Sequence, residues 1–305
     1  MAELLVPTQD EIDRAQQDAP YALCDIPDPY NPGARRPLTV VCRANTDVGH
    51  REKNVASNIV RPLPRFVDRA DFMQLRDEPI AIVAGGPSAR KHLDKIRQFK
   101  WVMAAGSSHD WLIDNGIVPT FAVSTDSKEE TNDYFKRLDP GVQYVLASVL
   151  PPSLFDRLEA ADCPTWLWHF NEQVDPAHYR GERPVGWGCM VGVVCIQIAL
   201  WLGFQRQHYF GYDCCLDRES FATHAYTVSA RERAEIWENV TEAMVGEEQT
   251  KFLTTTALIC CATHFFGVYR CPDNQYLKGH VYGPGLLHDQ VRQSPPEMQE
   301  WLEAV

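Results

Sequence analysis

The feature that most constrains the fold is an alternation of short apolar runs with charged segments, which starts at residue 79. The first four runs are rich in apolar residues such as Val and Ala and stop at Gly, Ser or Asp, and the last two are rich in aromatic residues; both patterns are typical of strands. They occupy residues 80–84, 100–106, 120–126, 142–148, 165–170 and 207–213. Strands that alternate with helices at this spacing form βαβ units. We therefore predict an α/β fold with a Rossmann-like, doubly wound and mainly parallel sheet.

Residues 1–75 lack this alternation. They are irregular and rich in proline, with one predicted strand at 38–44. We predict that they form an N-terminal extension to a Rossmann-like domain over residues 76–290, which a C-terminal tail over 291–305 follows. The sequence does not indicate what the extension does.

Composition and charge narrow the class of protein. Hydrophobic residues make up 45% of the 305 residues, enough for a sizeable core. No run approaches the roughly 20 apolar residues of a membrane span, and the N-terminus lacks the plan of a signal peptide, so we expect a cytoplasmic protein. The net charge of −12 argues against a protein that coats nucleic acid, because phosphate contacts need a basic face. The pattern leaves a homo-oligomer open.

The ten cysteines favour free thiols over metal or disulfide chemistry. No two of them form a CxxC pair, the spacing typical of zinc sites. Several lie inside apolar runs such as 190–200, where reduced cysteine behaves as a small hydrophobic residue.

Ligands of a doubly wound sheet bind beyond the carboxyl ends of its strands, so the strand ends are the residues to inspect. The first strand ends in the GGPS turn, residues 85–88, which precedes a predicted helix and is able to present backbone N–H groups to a phosphate. Ser107 and Asp126 follow two later strands, where a hydroxyl donates and a carboxylate holds a cation or a ribose. The structural alternatives are an ordinary turn for GGPS and helix caps for Ser107 and Asp126.

A second informative stretch spans residues 185–226. An apolar helix is predicted at 190–202, and it follows a second glycine-rich segment, the GWGC turn of residues 186–189. The strand at 207–213 then ends in Gly-Tyr-Asp213, and His224 comes eleven residues later. A single histidine is more often structural than catalytic, so this residue gains its interest from its neighbours.

Taken in order, these elements resemble one superfamily. It contains the MptE-like 6-hydroxymethylpterin pyrophosphokinases, the Maf flagellin glycosyltransferases and, more distantly, the bacterial CMP-sialic-acid-dependent sialyltransferases. The resemblance covers about residues 79–226: the GGPS turn, the block from Gly116 to Asp126, the GWGC turn with its helix, and Gly-Tyr-Asp213 followed by His224-Ala-Tyr. It implies a Rossmann-like nucleotide-binding domain whose Gly-Pro-Ser turn lies against donor phosphates.

The resemblance carries over residue by residue. With the strand-end rule, it gives these predicted nucleotide-binding residues: Gly85, Gly86, Pro87, Ser88, Ser107, Asp126, Gly188 and Cys189. The family usually has Leu where this chain has Ala89, and Ser or Thr where it has Cys189. The second departure removes a hydroxyl contact but leaves the backbone donors.

The chemistry that the resemblance implies is transfer from an activated nucleotide to a hydroxyl. His224 is the predicted catalytic base, because the ordinary pKa of histidine lies near neutrality. Asp213 is the second predicted catalytic residue. Asp126 and Asp213 would hold Mg²⁺ if the reaction cleaves a nucleoside triphosphate, or would contact sugar hydroxyls if the donor is a nucleotide sugar.

Three functions remain open from the sequence. We favour a glycosyltransferase that moves a sugar from a nucleotide-sugar donor to a hydroxyl acceptor. The alternative is a Mg-dependent pyrophosphokinase of the 6-hydroxymethylpterin type, which converts ATP to AMP. A non-catalytic nucleotide-binding or assembly module is the third, and Cys189 in place of Ser or Thr keeps it open. The acceptor is not named by any motif.

Overall fold

The computed structural model describes residues 48–69, 75–170, 174–227, 236, 240–245 and 250–305, and the backbone of residues 21–27 and 35–41. Its centre is a nine-stranded sheet in the order β13-β12-β9-β3-β4-β5-β6-β7-β8, in which every neighbouring pair is parallel. Its strands are β3 Pro79–Val83, β4 Trp101–Ala105, β5 Phe121–Ser124, β6 Gln143–Ala147, β7 Thr165–Phe170, β8 Pro184–Val185, β9 Arg206–Phe210, β12 Lys278–Val281 and β13 Leu302–Ala304.

Two antiparallel hairpins lie outside this sheet. They are β1 Tyr21–Pro27 with β2 Arg35–Val41, and β10 Val240–Val245 with β11 Thr250–Thr255. The α-helices are α1 Val48–Asn58, α2 Leu93–Ile96, α3 Ser108–Asp114, α4 Pro152–Ala160, α5 Val191–Trp201, α6 Thr256–Arg270, α7 Leu286–Arg292 and α8 Pro296–Gln299. Short 3-10 helices occupy Phe66–Arg69, Pro87–His92, Glu129–Tyr134, Pro176–Tyr179 and Pro272–Asn274.

Both faces of the sheet are buried, as β3 illustrates. Its residues Ile80 and Ile82 belong to the core cluster that contains the apolar side of α5. Its residues Ala81 and Val83 point the other way, into a smaller cluster with Leu112 of α3. A strand that is covered on both faces is apolar throughout, which is why the run was visible in the sequence. The α/β, doubly wound class predicted from the alternation is confirmed.

The order of the strands fixes where a ligand crevice lies. From β3 the chain proceeds outward through β4 to β8, then returns to β9 on the opposite side of β3 and continues to β12 and β13. The connections after β3 and β9 therefore diverge to opposite sides. In doubly wound sheets this switch point opens a crevice at the carboxyl ends of the two strands.

Part of the predicted N-terminal extension packs against the sheet. In α1, the side-chain amide of Asn54 donates to the carbonyls of Ser127 and Val149, and that of Asn58 binds two carbonyls of the loop after β6. Arg65 forms a parallel bridge to Leu167 of β7. The boundary at residue 75 stays a prediction. Among the described residues, no helix combines the length and the apolar character that a membrane crossing needs.

Candidate active site

The GGPS turn lies at the switch point and is joined to the end of β9. The N–H of Ala84 donates to the carbonyl of Phe210 over 2.8 Å, and the N–H of Gly86 donates to the carbonyl of Gly211 over 2.9 Å. A Cβ atom on Gly86 would collide with the Gly211 oxygen and lie 2.7 Å from Oδ2 of Asp213. Glycine is required here because two backbone segments approach each other closely.

Asp213 follows β9 and meets the same turn. Its Oδ2 accepts a hydrogen bond of 2.7 Å from the N–H of Ser88, and its Oδ1 accepts one from the Ser88 hydroxyl. The Asp213 residue is 4% exposed. Burial raises the pKa of its carboxyl to about 7, although the hydrogen bonds from Ser88 act in the opposite direction.

His224 lies over the first glycine of the turn. The loop that carries it, residues 217–226, is fixed to β3 by a 2.8 Å hydrogen bond from the N–H of Ala225 to the carbonyl of Gly85. A Cβ atom on Gly85 would lie 2.8 Å from Cδ2 of His224. The missing side chain of Gly85 therefore makes room for the imidazole.

The same loop is held at two further points. The Arg90 guanidinium donates to the carbonyl of Ala225, and the hydroxyls of Tyr226 and Ser107 share a hydrogen bond. Asp217 stabilises the start of the loop, since its Oδ1 accepts a 2.8 Å hydrogen bond from the N–H of Ser220. The loop thus bridges the ends of β3 and β4.

The imidazole of His224 is kept neutral by its surroundings. Burial lowers its pKa from 6.5 to about 4. Its Nδ1 lies 3.0 Å from the hydroxyl of Thr223, and Nε2 has no hydrogen-bond partner in the part of the chain that the structure describes. At neutral pH the ring is therefore able to accept a proton.

The residues at the switch point form two layers. Gly85, Gly86, Ser107 and His224 are partly exposed and form the mouth of the crevice. Pro87, Ser88 and Asp213 are buried beneath them. The structure thus brings together most of the predicted site, and it separates residues able to touch a ligand from residues that support them.

Asp126 lies at the same edge of the sheet but two strands away from β3. Its Oδ1 accepts a 3.2 Å hydrogen bond from the N–H of Lys128, and its carbonyl accepts one from the hydroxyl of Thr131. Burial raises the pKa of its carboxyl. These bonds stay within residues 126–131, as expected if Asp126 caps the segment that follows it. A ligand role for Asp126 stays a prediction.

The GWGC turn is tied to helices. Trp187 exchanges two hydrogen bonds with the side chain of Gln197 in α5, of 3.1 and 2.6 Å. The N–H of Cys189 donates to Nδ1 of His264 in α6 over 3.0 Å. The backbone N–H of Cys189, which was predicted to bind a ligand, thus has an acceptor within the protein. The nucleotide-binding role of Gly188 and Cys189 stays a prediction.

A polar network at the ends of β6 and β7 was not identified from the sequence. The imidazole of His169 lies between the Ser148 hydroxyl, 2.8 Å from Nδ1, and Glu182, 2.9 Å from Nε2. Arg65 donates twice to the same carboxylate. Because Ser148 and His169 are buried, this network joins the segment after α1 to the sheet rather than facing a ligand.

Asn54, Asn58, Arg90 and Tyr226 are the other contributors that sequence reasoning did not assign. A signal existed for the first two, since residues four apart share one face of a helix. The described residues contain no group of three or more His, Cys, Asp or Glu side chains arranged for a metal ion.

Comparison with known proteins identifies the family. Residues 51–219, more than half of the chain, match the family model described as 6-hydroxymethylpterin diphosphokinase MptE-like. The chain belongs to the MptE-like family. This confirms the resemblance inferred from the order of the motifs. No curated protein matches the sequence.

The Maf structure below resembles this MptE-like chain in fold. The Maf glycosyltransferase from Magnetospirillum magneticum AMB-1 superposes with a TM-score of 0.52 at 15% identity, over 77% of this chain and 36% of that one. A mammalian sialyltransferase in complex with Gal-beta-1-3GalNAc-ortho-nitrophenol gives a TM-score of 0.32 at 11% identity, over 60% of this chain and 78% of that one. This chain therefore spans about a third of the length of the Maf protein.

Proposed function

We propose that this MptE-like chain is a nucleotide-dependent transferase, and that it moves a sugar from a nucleotide-sugar donor to a hydroxyl acceptor. The observation that carries the proposal is the neutral imidazole of His224 over Gly85, at the mouth of the switch-point crevice. The family and the fold shared with the Maf glycosyltransferase support a transferase.

In the proposed reaction His224 is the base. Its Nε2 takes the proton of the acceptor hydroxyl while the acceptor oxygen forms a bond to the anomeric carbon of the sugar. The bond from that carbon to the donor phosphate breaks, and its electron pair leaves with the nucleotide. The phosphate of a bound donor raises the pKa of the imidazole, because a nearby negative charge favours its protonated form. Arg90 adds positive charge beside the loop.

The two predicted metal ligands, Asp126 and Asp213, do not form a site that suits magnesium. Both carboxylate oxygens of Asp213 accept hydrogen bonds from Ser88, and the residue is buried. Asp126 lies two strands away and holds its own loop. A cation shared by these carboxylates would have to displace Ser88, so the proposed mechanism contains no step through a metal.

Transfer of a diphosphate from ATP is the second candidate. The description of the matched family favours it, since that description names a diphosphokinase. The same base would serve, because a hydroxyl proton is also removed when the acceptor attacks a phosphorus atom. The nucleotide that leaves distinguishes the two reactions.

The test is to identify that nucleotide. The full chain is incubated separately with CMP-, UDP- and GDP-sugars and with ATP plus 6-hydroxymethylpterin, and the products are separated by anion-exchange chromatography. We expect a nucleoside mono- or diphosphate from one sugar donor, with water as acceptor where none is supplied. His224→Gln should abolish the release, whereas His178→Gln, at a half-exposed histidine paired with Glu52, should not.

Each other result has a defined meaning. Release of AMP from ATP would show that the chain catalyses the diphosphokinase reaction instead of sugar transfer. Nucleotide binding without release from any donor would support the non-catalytic module, and equal release by His224→Gln would remove the base from the mechanism.

A further inference from the structure

We propose that the Asp213 carboxyl is the resident acceptor group of the GGPS turn, and that Ser88 and Asp213 are positioning residues beneath the crevice while donor phosphates bind outside the turn, on the Gly85 side. The inference rests on the proposed function, because it concerns the same crevice. It assigns to a carboxyl group of the chain the position at which the GGPS motif predicted a phosphate.

The backbone N–H groups of the turn beyond Gly85 already have acceptors within the protein. The N–H of Gly86 donates to Gly211, that of Ser88 to Asp213, and that of Ala89 back to Gly86 over 3.2 Å. Pro87 has no N–H. A phosphate in this corner would have to displace hydrogen bonds that join β3 to β9.

The corner that holds Ser88 and Asp213 has no space for a phosphate. Ser88 is 3% exposed and Asp213 is 4% exposed, so neither reaches the mouth of the crevice. From the far side, a Cβ atom on Gly285 would lie 2.7 Å from Cα of Asp213, and the N–H of Leu287 donates to the Asp213 carbonyl over 3.3 Å. The corner accommodates one carboxylate and is closed by the segment after β12.

The charge of the Asp213 carboxyl also suits the turn. Burial raises the pKa of the Asp213 carboxyl to about 7, and in its ionised form the group supplies the negative charge that such a turn favours. The ionised groups that act on Asp213 are Lys91, which favours its charged form, and Asp217, which opposes it. The carboxyl is also flanked by the Cys214 and Cys215 thiols, and both hydrogen bonds from Ser88 favour its ionised form.

The mouth offers a phosphate a different set of groups. Gly85, Ser107 and His224 are partly exposed and lie on one side of the turn. The Ser107 hydroxyl is shared with Tyr226, a contact between two side chains that are able to rearrange around a ligand. Donor phosphates that bind here lie beside the proposed base, because Gly85 itself packs against the His224 ring and the Tyr226 hydroxyl.

One experiment tests the resident acceptor group without any nucleotide. Asp213→Ala leaves the two Ser88 donors empty, so millimolar formate should raise the thermal unfolding midpoint of this variant above that in chloride of equal ionic strength. The wild-type chain and the double variant Ser88→Ala/Asp213→Ala should show no such difference. Equal midpoints of Asp213→Ala in formate and chloride would overturn the proposal.

A second measurement separates positioning from ligand contact. In ¹³C-aspartate NMR, Ser88→Ala should raise the pKa of the Asp213 carboxyl, because it removes a hydrogen bond to the ionised form, and Ser88→Thr should restore it. Calorimetric titration with CMP and ADP should give Ser88→Ala an affinity within about twofold of wild type, a change well below 1 kcal/mol. A tenfold loss of affinity in folded Ser88→Ala, about 1.4 kcal/mol, would place the phosphate in the turn.

The two proposals fail separately. If the wild-type chain binds neither nucleotide, the nucleotide-dependent function fails, while formate binding and the Asp213 pKa still decide the role of the carboxylate. If Asp213→Ala does not fold, the Asp213 pKa in Ser88→Ala and Ser88→Thr decides it instead.

Discussion

The two glycine-rich turns look equivalent in the sequence and differ in the structure. The GGPS turn is joined to the end of another strand, through Gly211 and Asp213, at the point where the strand order diverges. The GWGC turn is joined to two helices, through Gln197 and His264. The first lies beneath a histidine at a crevice, whereas the second fixes how α5 and α6 pack.

The difference shows that a glycine-rich turn acquires its role from distant partners. Ser88 and Asp213 are 125 residues apart, and Cys189 and His264 are 75 residues apart. Each contact depends on where the whole sheet places a second segment. A turn followed by a helix indicates where backbone donors are available, but the rest of the fold decides whether the acceptor is a ligand or the protein itself.

The largest expected effect is at Gly86. A valine side chain there would overlap the Gly211 carbonyl, a backbone group that cannot rotate away, so we expect Gly86→Val to lose at least about 3 kcal/mol of stability. Urea unfolding measures the loss. Gly116→Ala is the control, because Gly116 has a positive φ of 74° but open space, and strain alone costs about 1 kcal/mol. Equal stabilities of the two variants would show that the approach to β9 is dispensable.

The next effect is on turnover. His224→Gln should lower kcat by about 10²- to 10⁴-fold, the range expected when a general base is lost, with nucleotide affinity little changed. Steady-state release of nucleotide and calorimetric titration provide the two values. A parallel fall in affinity and thermal stability would instead make His224 a packing residue of the loop.

The sequence predicted most strands of the central sheet but not the segments that pack around its edge. The runs that became β3 to β6 were visible because strands covered on both faces are mostly apolar. The runs that became β7 and β9 were visible through their aromatic residues. Strand β8 contains two residues, Pro184–Val185, and leaves no periodic signal. Helix α1 buries a polar face, Arg51, Asn54 and Asn58, since it docks on backbone carbonyls. It therefore lacks the apolar stripe by which helices are detected.

The same limit applies to the site. The strand-end rule selected Gly85 and Asp213, the family resemblance added His224, and the structure brings the three together at the switch point. The predicted helix at 88–98 is instead a 3-10 helix, Pro87–His92, followed by α2. The pairing of Ser88 with Asp213 depends on the relative positions of β3 and β9, which no local pattern contains.

A smaller effect is expected at the second turn. Gln197→Leu removes the side chain that bonds both backbone groups of Trp187, so we expect a loss of about 1 to 3 kcal/mol, since two hydrogen bonds of about 0.5 to 1.5 kcal/mol each are lost. If the GWGC turn only fixes helix packing, CMP and ADP affinities should stay within about twofold of wild type. Lost affinity without lost stability would instead assign Gly188 and Cys189 to the ligand, as the family resemblance implies.

A further effect is expected in the pH dependence of stability, and it again separates the two turns. The pKa of His224 is about 4 in the folded chain, through burial, against 6.5 as its ordinary value, so the unfolded chain binds more protons between these limits. The free energy of unfolding should therefore rise as pH increases from about 4 to 6.5 and gain nothing further above that. His208, whose pKa is also about 4 through burial and the neighbouring His280, contributes in the same direction. Urea unfolding should show a shallower rise in His224→Gln and an unchanged rise in Gln197→Leu.

Asp213 changes the pH dependence of stability in the opposite direction to His224, which makes the test more specific. Burial raises the pKa of its carboxyl from 3.8 to about 7, so between these limits the folded chain binds more protons than the unfolded one, and this group lowers stability as pH increases. Asp213→Asn removes that contribution and is nearly isosteric, because its amide is able to keep a bond to each Ser88 group. The rise of stability from pH 4 to 6.5 should then be steeper in Asp213→Asn than in wild type and shallower in His224→Gln. Two residues that share one turn thus change the same curve in opposite directions, a result that general loosening of the crevice would not produce, since loosening lowers stability at every pH.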